Sequence, residues 1–142
     1  MSDAAKKPLL TIQDLITSSG KYPERAKSKE LTDEVRQNMQ LLLAAVNPFL
    51  EALGITSVKV SSGFRPSAVN AATPGSAKRS LHMIGKAVDL EDPNNSLDKK
   101  IEAHPELLEK FGLWLESPKA TPSWAHLDIG TRTARKIRIF LP

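Results

Sequence analysis

The run Ser80-Leu81-His82-Met83-Ile84-Gly85-Lys86-Ala87-Val88-Asp89-Leu90 restricts the backbone of this 142-residue chain more than any other stretch. It sets an imidazole and a carboxylate seven residues apart, too far for one straight strand to bring both to a common point. Gly85 stands between them. A glycine takes backbone conformations that other residues avoid, so it is expected to supply the bend that folds His82 back over Asp89. Ala87 to Leu90 then reads as a short strand. A second strand-like run, Trp124-Ala125-His126-Leu127-Asp128-Ile129, carries another imidazole. Alternation puts Trp124, His126 and Asp128 on one face of it, and Ala125 and Leu127 on the other.

Two histidines and one aspartate make the three-protein-ligand set of a catalytic zinc site, which keeps a fourth position for water. Such a set also suits several other first-row metals. Taken singly, each residue has an ordinary explanation, because a lone histidine is most often a surface or satisfied core residue. His104, before Pro105 at a helix start, is read that way. The chain has no cysteine, which excludes a disulfide scaffold and a cysteine-based zinc ribbon and leaves His, Asp and Glu as metal ligands.

The remaining pattern divides by position. Thr11 is expected to cap a short helix over Ile12 to Ile16. Thr32 caps a long one, with Asp33 and Glu34 favourable in its first turn. Val35, Met39, Leu42, Leu43, Val46, Phe49, Leu50 and Leu53 give that helix one apolar face. Pro48 predicts a kink or a fresh start inside it, and Gly54 its end. Ile55 to Val60 is expected as a strand, with Ser61 to Pro66 turning out of it and a small helix over Ser67 to Ala71. Ser96 is expected to cap a helix from Leu97 to about Ala103, and Pro105 opens another to Phe111. Leu113 to Glu116 should pair antiparallel with the His126 strand through the loop 117–123. Ile137 to Leu141 makes a last strand. Helices come early, strands in the middle and late, and no βαβ alternation occurs, so the class is α+β.

Residues 1–8 read as a leader and 9–142 as one domain, long enough to bury a real core. No apolar run approaches the roughly 18 residues of a membrane span. The N-terminus lacks the apolar core of a secretory signal, so synthesis into the cytoplasm is expected. The net charge of +4 is spread along the chain without a dense basic run, and aromatics are only 5%, which argues against nucleic acid as a partner. The same mild charge suits an anionic polymer such as a bacterial wall.

Ser62-Gly63-Phe64-Arg65-Pro66, Asn70, Gly75-Ser76, Ser80 to Asp89 and Trp124-Ala125-His126 together resemble the M15 peptidases. These are D-alanyl-D-alanine carboxypeptidases and dipeptidases, and phage L-alanyl-D-glutamate endolysins. The likeness runs over about residues 9 to 142. It implies a hedgehog/DD-peptidase-like fold, with helices on a small, mainly antiparallel sheet. It further implies Zn2+ on His82, Asp89 and His126. Arg65 matches the family arginine that holds the substrate carbonyl and steadies the oxyanion. Ser80 matches a small hydroxyl residue near the substrate, although a loop-capping serine would look the same.

One position departs from the pattern. The family's general base is an acidic residue three before the last histidine ligand, and here that residue is Ser123. A hydroxyl has no useful basicity at neutral pH. Glu116, at the end of the neighbouring strand, is the expected replacement, and phage sequences with a Trp-Leu-Glu…Trp-x-His pattern resemble this arrangement. Asp128 is the other candidate, with an equal claim to be a partner that orients a ligand. The expectation is a monomeric zinc peptidase cutting a peptidoglycan stem peptide, of the phage or prophage endolysin kind and acting on the wall after release. Its alternative is a catalytically silent zinc-binding module of a virion or wall-peptide-binding protein.

Overall fold

Helix α2, Asp33–Ala52, begins where the Thr32 hydroxyl accepts the Val35 N–H (3.2 Å) and ends before Gly54, whose φ is +77°. The computed structural model describes residues 8–74, 76–132 and 138–141. The expected leader, apart from Pro8, therefore lies outside the described residues, as do Gly75, Ile137 and Pro142. The face of α2 bearing Val35, Met39, Leu42, Val46, Phe49 and Leu50 is buried. The helix runs on through Pro48, so the fresh start offered as one alternative there does not occur. Proline removes one backbone bond, but Phe49 and Leu50, both wholly buried, hold the last turn on the core.

The other helices are short. Helix α1, Ile12–Thr17, carries the expected Thr11 cap, completed as a capping box by Asp14. A 3-10 turn follows at Pro23–Lys27, and α3 spans Ser67–Ala72. Helix α4, Ser96–Glu102, starts one residue earlier than expected, and Ser96 does not cap it. Instead the Asp92 carboxylate accepts the N–H groups of Leu97 and Asp98, both at 2.9 Å. A carboxylate reaching from outside the helix satisfies two free donors where one hydroxyl would satisfy one. Helix α5, Pro105–Phe111, ends at Gly112, and its Phe111 meets Phe49 edge-on.

Among the described residues, five strands form one sheet in the order β1-β2-β4-β3-β5: β1 Val60–Ser62, β2 Ala87–Glu91, β3 Trp114–Glu116, β4 Trp124–Asp128 and β5 Ile139–Phe140. All pairings are antiparallel except β3 with β5. The architecture is α+β, as expected. The first strand lies later than the expected Ile55 to Val60: Ser61 and Ser62 belong to it where a turn was expected, and Ser62 pairs with Asp89. Alternation makes a strand only opposite a partner. The Glu91 N–H bonds the Lys59 carbonyl, and β2 ends there.

Period-two alternation gives the sheet two chemistries. Val88, Leu90, Leu115, Ala125 and Leu127 join the buried face of α2 in one hydrophobic core. Ala87, Asp89, Trp114, Glu116, His126 and Asp128 occupy the opposite face. Among the described residues, no helix is long and apolar enough to cross a membrane.

Candidate metal centre

His82 sits on a 3-10 turn, Leu81–Ile84, rather than on a strand. The Ser80 hydroxyl accepts the His82 N–H at 3.2 Å and caps the turn, so the structure gives Ser80 a local capping role. Gly85 ends the turn at φ +79°, a left-handed conformation. A Cβ there would lie 2.6 Å from the Val35 carbonyl oxygen, so both backbone and space demand glycine. The bend expected at Gly85 is present, and it returns His82 to Asp89 on β2.

Asp89 and His126 are cross-strand partners in the β2–β4 register. The Asp89 Oδ1 is 2.8 Å from His126 Nδ1, and its Oδ2 is 3.3 Å from His82 Nε2. Ligand atoms of the three residues all lie within 4.8 Å of one another, and all three side chains are buried. The other nitrogen of each ring is already held. His82 Nδ1 is 2.8 Å from the Gly63 carbonyl, which can only accept, so that nitrogen carries hydrogen and Nε2 faces the centre. His126 Nε2 is 2.7 Å from the Asp128 carboxylate, which turns Nδ1 to the centre. Two oriented imidazole nitrogens and one carboxylate in a buried cluster make a donor set that suits a divalent metal ion. These three residues would hold it.

Charge follows the same geometry. Burial alone would raise the Asp89 carboxyl, but His82 and His126 hold it well below the usual carboxylate range. Burial would lower His126, yet its bonds to Asp128 and Asp89 lift it to about 9. Asp128, buried too, is drawn below its ordinary value by His126 and Arg132.

The chain from β1 to α3 supplies Arg65. Its Nη2 is 3.1 Å from Asp89 Oδ2, its Nε donates to the Ser62 hydroxyl at 2.9 Å, and Nη1 reaches Asn70 Oδ1 at 3.4 Å. Gly63, just before, packs so closely on α1 that a Cβ would overlap the Leu15 carbonyl. The Phe64 N–H bonds that carbonyl at 2.8 Å. Glu116, half-buried at the end of β3, places Oε1 at 3.9 Å from His126 Nδ1. Burial first, and then the charges of Asp89 and Asp128, raise its pKa against the opposing pull of His126 and His82. Ser123 is exposed, and its backbone carbonyl accepts the Asp92 N–H. His104 is also exposed, 3.4 Å from Glu106 and not among the three candidate ligands.

The model of the family described as Peptidase M15 matches residues 9–128. The chain belongs to the M15 peptidase family. The match takes in α1 through β4 and with them all three candidate ligands of this M15 chain. No curated protein and no solved structure gives a significant match.

Two contributors escaped sequence reasoning. Arg132 bonds Asp128 through two guanidinium nitrogens, and Arg25 donates Nη1 to the Phe64 carbonyl at 3.0 Å, behind Arg65. Asp128 and Arg132 are four apart around Gly130, a spacing that signals a contact on a helix but nothing in a loop. Arg25 is 39 residues from its acceptor, and no local pattern announces such a bond.

Proposed function

We propose that this M15 chain is a zinc-dependent peptidase that hydrolyses a peptide bond in the stem peptides of bacterial peptidoglycan, as a phage or prophage endolysin does. The observation that carries the hydrolytic reading is Glu116. It shares the sheet face of Asp89 and His126, lies 3.9 Å from His126 Nδ1, and has its pKa raised by burial. A carboxylate poised in this way suits a group that must take a proton and later give it back.

A bound zinc ion would polarise the scissile carbonyl and acidify the attacking water. His82, Asp89 and His126 would hold it. Glu116 receives the water proton on a carboxylate oxygen and passes it to the leaving amine. Arg65, held by Ser62 and Asn70 at the edge of the cluster, offers guanidinium N–H donors to the carbonyl oxygen as negative charge grows on it. Ser80 caps the His82 turn, and the motif resemblance alone supports a contact of its hydroxyl with substrate. Peptidoglycan as substrate and release to the wall rest on the motif resemblance and the mild positive charge.

The second reading, a silent zinc-binding module, is favoured by one observation: Ser123 stands exposed at the position the family gives to its acidic base. Incubation with purified peptidoglycan, with and without a chelator, separates the two. New free amino groups that disappear with chelator and return with zinc support the peptidase. Stoichiometric zinc binding without any release supports the silent module.

A further inference from the structure

Asp128 is completely buried, and both its oxygens are fully engaged. Oδ1 accepts from the Gly130 N–H at 3.0 Å and from Arg132 Nη1 at 2.6 Å, while Oδ2 meets Arg132 Nη2 at 3.1 Å and His126 Nε2 at 2.7 Å. The fork of Arg132 thus fixes the plane of the carboxylate that His126 points into. The same guanidinium stacks on the Phe140 ring, 3.7 Å from its centroid, and lies 5.3 Å from that of Trp114. Phe140 in turn meets the His126 ring edge-on, with centroids 5.9 Å apart. His126 is therefore gripped at Nε2 by Asp128 and along its ring by Phe140, and one cation backs both grips.

We propose that Arg132 is the positioning residue of this centre, acting through Asp128 and Phe140 to hold the His126 ring with Nε2–H directed away and Nδ1 directed at Asp89 and His82. It touches neither substrate nor ion. Its work is to remove the rotation that an unclamped imidazole would have to lose when the ion binds. Lysine would keep the charge but lose the fork and the flat stacking surface. The proposal deepens the zinc reading and rests on it only for its effect on affinity.

The test uses the full chain with Arg132→Gln and Arg132→Lys. Zinc affinity is measured by competition with a chromophoric chelator, and the His126 ring nitrogens are followed by nitrogen NMR in the metal-free protein. Loss of zinc affinity by about 10- to 100-fold in the glutamine variant is expected, with a smaller loss in the lysine variant. The metal-free ring signals should broaden or shift in the same order, which a purely structural arginine would not cause in a protein that still unfolds cooperatively. If the glutamine variant does not fold, the lysine variant carries the same comparison. Unchanged affinity and unchanged ring signals in a folded variant overturn the proposal. Wild-type chain that binds no zinc overturns the zinc reading instead, and the metal-free ring signals still judge Arg132.

Discussion

Glu116 and His126 face each other across β3 and β4, with Oε1 3.9 Å from Nδ1. The Leu115–Leu127 pairing, continued by one residue, brings them opposite. Strand register, then, delivers a half-buried carboxylate to a centre whose expected acidic position is Ser123.

Exchange of that carboxylate for its amide tests the proposed base. Glu116→Gln keeps size and hydrogen bonding but cannot accept a proton. Release of amino groups from peptidoglycan should fall by roughly 10²- to 10⁴-fold, with zinc affinity within a few-fold of wild type. Ser123→Ala, at an exposed site, should change neither quantity. Full activity in Glu116→Gln would remove Glu116 from its role.

Metal removal should act on stability as well as on hydrolysis. An ion that binds only the folded chain stabilises it by about 2.7 kcal/mol at a free concentration one hundred times its Kd. Chelated protein should therefore melt several degrees lower and regain its Tm with zinc. Identical melting curves with and without zinc would argue against binding at His82, Asp89 and His126.

A buried acid away from the centre makes stability depend on pH. Asp98 is fully buried on α4, and neither carboxyl oxygen has a hydrogen-bond donor. Burial, followed by the charges of Asp92 and Glu102, pushes it up to about 7. In the unfolded chain it titrates near about 4. The folded state thus holds the extra proton between those values. The contribution is fully present below the unfolded pKa and is lost as pH rises through the folded one. Urea unfolding from about pH 5 to about pH 8 should show stability declining by an amount on the order of a few kcal/mol. Asp98→Asn, whose amide cannot ionise, should flatten the decline. An equal slope in the variant would exclude Asp98 as its source.

Gly85 couples folding to the centre. Gly85→Ala must accept φ +79° and a contact with the Val35 carbonyl, at an expected cost of about 1–3 kcal/mol in denaturant unfolding. Because the turn carries His82, zinc affinity should fall too. Wild-type stability and affinity in this variant would show that the turn tolerates a side chain.

Much of this architecture is readable along the chain because its signals are local. The capped apolar stripe of α2, the Thr11 cap, the β3–β4 pairing and the Gly85 bend each arise from residues within a turn, a strand or a short connection of one another. The gathering of His82, Asp89 and His126 was legible for a related reason: residue type and spacing restrict what such a set can do. Tertiary structure decided what depends on partners distant in sequence. It moved β1 to the residues that β2 could pair, and carried α2 on past Pro48 against the core. It also brought Glu116 to the sheet face of the centre, and set Arg132 against Asp128 and Phe140. Periodicity and capping are written in neighbouring residues, whereas register, burial and long-range hydrogen bonds exist only once the helices and the sheet have packed together.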